Sequence, residues 1–390
     1  MSEPESVEPW IFLSAGEASG EHYGAMLIAE LKRSIPKVQF FGLGGARMEA
    51  LGMQRVVRSE DVAVMGITEV IRHLPHIYRE YRKLQSAIRA RRPAAAVLID
   101  FPDVNLKLAE TLHGMGVPVI FFVSPQLWAW KKHRIHSVRR FVDRMLVIFP
   151  FEEKFYREHG VAAEFVGHPL AEMPLPTETR AHFAAQHGLD AEKSWIGLLP
   201  GSRAREIRLN LPEMLRAAAR IADERTEFVL PLAPTLSAAD VERTRTMVKD
   251  AGMDKRVRLV DDARGTLHFA RASVVASGTA TVEAALIGNP FVVVYKVSRL
   301  TYAIARQIVK VPHVAMVNLI ADQRLVPELI QDDYTVDSVV KHLQPLMENT
   351  AARDQMMREL KEVGAKLRPD RNLENGAIQR VAEVVAETLA

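Results

Sequence analysis

The chain has 390 residues, 48% hydrophobic and 25% charged, with no cysteine and a formal net charge of +3. Without cysteine there are no disulfides, thiolate metal sites or cysteine nucleophile. The length predicts two or three domains of ordinary globular composition, and so small a charge excess points only weakly to anionic partners.

The chain opens on MSEPESVEPW, acidic and without a basic, apolar leader, so no secretory signal is expected. No apolar run is long enough to cross a bilayer. Apolar runs at 11–14, 38–41, 95–99, 117–123 and 145–149 read as strands, each followed by a turn or a helical pattern. Pro169, Pro174 and Pro176 interrupt the alternation. It restarts with strands at 196–199, 227–232, 257–260, 273–276 and 290–295, and the tail is helical. The expectation is an α/β protein with two Rossmann-like doubly wound parallel-sheet domains, 1–170 and 194–345. A connection at 171–193 joins them, and helices at 346–390 are free to pack back on the first domain. Ligands of such folds bind at the carboxyl ends of the strands, so a cleft between the two domains is expected to hold them.

Three strand-to-helix loops suit an anion or a polar oxygen. The first runs Ser14-Ala15-Gly16-Glu17-Ala18-Ser19-Gly20-Glu21. Its small residues admit a ligand to the backbone at a helix start, although a tight turn alone explains them as well. The second is Pro200-Gly201-Ser202-Arg203, where a glycine, a hydroxyl and a guanidinium in succession fit a diphosphate. The third is Ser277-Gly278-Thr279, followed one turn later by Glu283, a carboxylate able to accept two ribose hydroxyls. Thr279 and Glu283 are four apart, so a capping box explains Glu283 poorly.

Asp100 and Asp103 end the most apolar strand, and a carboxylate there can serve as general base. Asp103 also suits an N-cap, which favours Asp100 as the base. After the next strand comes Ser124-Pro125-Gln126-Leu127-Trp128-Ala129-Trp130, whose indoles either stack on a sugar, line an acyl channel or fill the core. The cations from Lys131 to Arg134 either begin a solvated helix or hold an acceptor phosphate. His168 reads equally as a hinge residue or a ligand contact. Between Ile67 and Lys83 the segment ITEVIRHLPHIYREYRK is basic and amphipathic, interrupted by Pro75, and fits either a surface helix or an anionic membrane face. No metal-ligand spacing and no nucleic-acid motif occurs, so neither a metal nor nucleic acid is expected.

Taken in order, AGEASGEHYGAMLI, AVMGITEV, LIDFPDVN, FFVSPQLWAW, FVGHPL, LLPGSRAREI, ASGTATVEAAL and VNLIADQRLVPELIQ resemble the lipid-A-disaccharide synthases from about Ile11 to Gln331. The resemblance implies a GT-B-type, inverting glycosyltransferase that uses no metal or other cofactor. It implies transfer from UDP-2,3-diacylglucosamine to 2,3-diacylglucosamine 1-phosphate (lipid X), giving a β-1,6 disaccharide 1-phosphate and UDP. It implies Asp100, Arg203 and Asn318 as catalytic residues. From the loops themselves, Gly16, Glu17, Ser19, Gly20, Gln126, Trp128, Gly201, Ser202, Ser277, Gly278, Thr279 and Glu283 are expected to bind the substrates. The resemblance also implies the cytoplasmic face of a Gram-negative inner membrane, with Ile67 to Lys83 as docking face, and allows a homodimer. Glu21 stands where the family usually has Asp, which leaves the role of that position open. The alternatives are a UDP-N-acetylglucosamine 2-epimerase or a peptidoglycan-lipid glycosyltransferase of the same fold.

Overall fold

A computed structural model describes residues 8–62, 67–309, 311–369 and 376–390, with the side chains of 67–74 outside the description. The described chain divides into two compact units, Met1–Glu172 with Leu367–Ala390, and Met173–Lys366.

The first unit is built on β1 (Trp10–Ala15), β2 (Gln39–Gly44), β3 (Gln54–Arg58), β4 (Ala95–Ile99), β5 (Val119–Phe122), β6 (Arg144–Val147) and β7 (Ala163–Phe165). They form one sheet in the order β3-β2-β1-β4-β5-β6-β7, every neighbouring pair parallel. Helices cover a parallel sheet on both faces, so its central strands carry unbroken apolar runs. All five residues of β4 are buried, as are all but Trp10 of β1. The helix Ala377–Leu389 buries Ile378, Val381 and Val385 and packs on the helix Ala18–Ser34.

The second unit repeats the plan with β8 (Ser194–Leu199), β9 (Thr226–Pro231), β10 (Val257–Val260), β11 (Ala272–Ala276), β12 (Phe291–Tyr295) and β13 (Glu328–Ile330). Their order is β10-β9-β8-β11-β12-β13, again all parallel. Of the connection expected at 171–193, the residues from Met173 onward belong to this unit. Thr179 caps the helix Arg180–His187, and Phe183 of that helix packs its ring 5.8 Å from Trp195 at the start of β8. The helix Ala351–Lys366 also belongs to the second unit and packs on the helix Thr279–Ile287.

In each sheet the chain winds one way from its first strand and then the other way. The first sheet reverses between β1 and β4, and the second between β8 and β11. Loops at such a reversal part to opposite faces and leave a crevice at the strand ends. The Gly16 and Asp100 loops flank one reversal, and the Gly201 and Gly278 loops flank the other.

Candidate active site

At the reversal of the first sheet, a buried amide joins the two strand ends. Ser14 Oγ donates to Asn105 Oδ1 at 2.6 Å, and Asn105 Nδ2 donates to the carbonyls of Asp100 at 2.6 Å and Ile99 at 3.2 Å. Above this anchor, Asp100 and Phe101 both adopt left-handed backbone, each with φ of 48°. Two successive non-glycine residues in that region store strain, a feature that concentrates at functional sites. The turn throws the Phe101 ring over Gly16, where a Cβ would lie 2.4 Å from the ring. Gly16 is therefore required by close approach. A Cβ at Gly20 would meet only ordinary contacts at 3.6 Å. Glu17 opens the helix Ala18–Ser34 in extended backbone, and Ser19 sits half-buried in its first turn.

Asp103 is not the N-cap expected of it: Phe101 holds that position, and Pro102 begins the helix Pro102–His113. Asp103 is exposed and ion-paired to Lys131 at 3.3 Å and to Arg134. Burial pushes its carboxyl up, but the Arg134 and Lys131 charges outweigh this and hold it below the ordinary carboxylate range. Two of the cations that could have met an acceptor phosphate are thus committed to Asp103. Glu21 accepts the backbone N–H of Arg47 at 2.9 Å, and its carboxylate covers Gly45. It thereby caps the helix Ala46–Ala50.

The two indoles behind β5 have different surroundings. Trp128 is half-buried, meets Phe151 edge-on at 5.1 Å, and donates its N–H to Glu152 at 3.1 Å. Trp130 is 39% exposed beneath the Lys131 ammonium, 4.2 Å from the ring centre, and Gln126 is exposed beside it. Glu152 also accepts from Ser124 Oγ at 2.6 Å and from the Phe149 N–H at 3.1 Å. Burial pushes its carboxyl up to about 7, against those three hydrogen bonds. His168 is buried between Tyr23 and Phe149, accepts the Leu170 N–H at Nδ1, and is held down to about 3 by burial. These partners make it a neutral structural residue.

In the second unit, Gly201 has φ of 119°. A Cβ there would lie 2.4 Å from the Glu206 carboxylate, which accepts the Ser202 N–H at 3.0 Å and pairs with Arg203 at 3.6 Å. Arg203 is the N-cap residue of the helix Ala204–Ile221, with its guanidinium partly exposed. Asn210, buried two helix turns further, holds the loop from below through the Pro200 carbonyl at 3.0 Å. Across the reversal, Gly278 has φ of 150° and opens the helix Thr279–Ile287, leaving Thr279 exposed. Ser277 Oγ donates to the Val314 carbonyl at 3.4 Å. Glu283 lies 3.7 Å from Arg264, whose Nη1 is buried without a hydrogen-bond partner. Burial raises the Glu283 carboxyl, Arg264 opposes this, and Asp262 adds to it.

Asn318 is fully buried, and its amide is consumed within the chain. It donates to the Val326 carbonyl and to Glu328, each at 2.9 Å, and accepts the Val326 N–H at 2.9 Å. Glu328 in turn accepts the N–H groups of Val314 and Ala315. In this structure Asn318 thus supports the Ser277 turn from behind instead of presenting its amide at the surface. Among the described residues no group of three His, Asp or Glu side chains could hold a metal ion.

Sequence reasoning missed Asn105, Glu152, Glu206, Arg264 and Glu328. Asn105 alone left a signal, a polar residue within the buried face of an apolar helix.

Two doubly wound parallel sheets, one with the Asp100–Phe101 turn and the other with two glycine turns at its reversal, have the GT-B architecture, which UDP-sugar glycosyltransferases share with other enzymes. In keeping with this, the chain superposes on the calicheamicin glycosyltransferase CalG4 with a TM-score of 0.60 at 17% identity, covering 98% of both chains. It superposes on the UDP-GlcNAc 2-epimerase of Neisseria meningitidis with 0.56 at 11%, covering 98% of this chain and 99% of that one. Likeness at such low identity shows the fold alone. The family model for lipid-A-disaccharide synthetase matches residues 11–382. The lipid-A-disaccharide synthase of Acidobacterium capsulatum is 64% identical over 98% of this chain and 97% of its own. The chain belongs to the lipid-A-disaccharide synthase family and is a glycosyltransferase of lipid A biosynthesis.

Proposed function

We propose that the chain transfers 2,3-diacylglucosamine from its UDP donor to the 6-hydroxyl of 2,3-diacylglucosamine 1-phosphate, with inversion. In this reading the acceptor hydroxyl gives its proton to Asp100. Its oxygen attacks the anomeric carbon from the face opposite UDP, and the bond from that carbon to the β-phosphate oxygen breaks. UDP leaves with the electron pair, its charge met by Arg203, the Ser202 hydroxyl and the amides at Gly201 and Gly278–Thr279. Glu283, with Arg264, holds the nucleoside. Gly16, Glu17, Ser19, Gly20, Gln126 and Trp128 belong to the acceptor side. Asn318 positions the Ser277 turn through Glu328.

The observation that carries the reading is the strained Asp100–Phe101 turn at the reversal of one sheet, matched by two glycine turns at the reversal of the other. The test is incubation with both substrates and chromatography of the products. A disaccharide phosphate formed together with UDP supports the reading, and UDP-sugar consumed without any disaccharide overturns it.

Both substrates carry acyl chains, so the reading includes a peripheral position at the cytoplasmic face of the inner membrane, with the segment from Ile67 to Lys83 against anionic lipid. That segment lies in the helix Ile67–Arg91, with Pro75 inside it. In its described part, Lys83 at 2.8 Å and Arg79 at 3.4 Å both converge on the buried Glu80. The Lys83 hydrogen bond, outweighing burial, lowers the Glu80 carboxyl. Part of the charge that would attract anionic lipid is therefore neutralised locally. No helix among the described residues is long and apolar enough to cross a membrane.

A further inference from the structure

The helix Arg299–Ile308 of the second unit buries none of its residues. Leu300, Ile304 and Ile308 follow one another at intervals of four and so line one face. They are 73%, 43% and 50% exposed. An isolated helix of ten residues is marginal in water, and proteins stabilise such helices by burying their apolar face. This one is properly begun, since Ser298 Oγ accepts the Thr301 N–H, yet its stripe has nothing to cover it among the described residues.

Charge selects the occupant. The helix, RLTYAIARQI, contains no carboxylate. Arg299 and Arg306 are exposed, and neither has an ion-pair partner among the described residues. The contrast is with Lys83 and Arg79, which spend their charge on Glu80. An apolar stripe flanked by unneutralised guanidiniums matches an anionic lipid interface, where the side chains enter the acyl boundary and the cations meet phosphates. A protein partner covering the stripe would be expected to meet the arginines with acids of its own.

We propose that the helix Arg299–Ile308 of the second unit is a docking face for an anionic phospholipid surface. This deepens the reading given above, because a donor with two acyl chains is held in lipid, and it rests on that reading for its purpose.

The test is co-sedimentation of the full chain with vesicles of phosphatidylglycerol and phosphatidylethanolamine. Replacing Leu300→Ser, Ile304→Ser and Ile308→Ser together is expected to lower partitioning about tenfold or more. Replacing Arg299→Gln and Arg306→Gln together is expected to weaken binding to these vesicles and to leave binding to pure phosphatidylcholine unchanged. On detergent-dispersed substrates both variants are expected to turn over like the parent chain, which also shows that they fold. The proposal is overturned if the triple variant sediments like the parent, or if the triple change alters only the mass of the chain in solution, which would make the face a contact between copies. Vesicle binding without disaccharide formation by the parent chain would instead remove the transfer reading and leave the lipid face standing.

Discussion

Ser14 and Asn105 stand 91 residues apart, yet a 2.6 Å hydrogen bond joins their fully buried side chains across the reversal of the first sheet. Asn105 passes that constraint to Asp100 by binding its carbonyl. Replacing Asn105→Ala removes the partner of the Ser14 hydroxyl and a donor to three carbonyls, and is expected to cost about 2–4 kcal/mol of stability. Because Asn105 holds the carbonyl of Asp100, the proposed base, kcat is expected to fall at least about tenfold while UDP affinity holds. Urea unfolding, steady-state kinetics and UDP titration read the three quantities. A loss of stability with unchanged kcat would confine Asn105 to the fold.

Asp100 and Asp103 are separated by their partners. Asp103 is exposed and already committed to Lys131 and Arg134, whereas Asp100 sits in the strained turn. Asp100→Asn is expected to lower kcat by about 10²–10⁴. Asp103→Asn is expected to change kcat little and stability by less than about 1 kcal/mol, the usual scale of an exposed ion pair. Side-by-side turnover measurements decide, and the opposite ranking would transfer the base to Asp103.

Most of the strands that the chain reveals are buried on both faces, such as AAVLI in β4 and FVVVY in β12, and the edge strand β10 joins them through its apolar Val257, Leu259 and Val260. Sequence reasoning missed β3, β7 and β13, which are edge strands of three to five residues carrying Arg55, Glu164 and Glu328. An edge strand is half solvated and needs no apolar run. The helix Arg180–His187 was hidden behind prolines, although Thr179 caps its start, Gly188 ends it in left-handed backbone, and Phe183 packs it on Trp195. Within the site, Gly16, Gly201 and Gly278 were legible because backbone freedom leaves a trace in the sequence. Glu152, Glu206 and Glu328 were not, because a carboxylate's partner is decided by tertiary packing.

Gly201 and Arg203 offer separate tests of the loop proposed to hold the diphosphate. Gly201→Ala forces a side chain into left-handed backbone and against Glu206. It is expected to destabilise the chain by about 1–3 kcal/mol and to weaken UDP binding. Arg203→Lys keeps the charge but loses the two-pronged donor, and is expected to lower kcat more than it raises the donor KM. Calorimetric UDP titration of both variants beside kinetics checks this. An Arg203→Lys enzyme with parental kcat would remove the guanidinium from the departure of UDP.

Glu152 sets a pH dependence whose sign is fixed by its burial. Its carboxyl titrates near 7 in the folded chain, against an ordinary value of 4.5. Between those pH values the folded chain keeps a proton that the unfolded chain has released. The stability it contributes is therefore fully present below about pH 4.5 and is lost as pH rises through about 7. The total is on the order of 3 kcal/mol. Glu152→Gln keeps an oxygen for Ser124 Oγ and the Trp128 N–H but does not ionise. Compared with this variant, the parent chain is expected to lose stability steadily from about pH 4.5 to about 7 and to show a constant difference above it. Urea midpoints of both proteins across that range measure the difference directly. A difference that stays flat, or that favours the parent as pH rises, would mean that Glu152 is ionised throughout and that its three hydrogen bonds outweigh its burial.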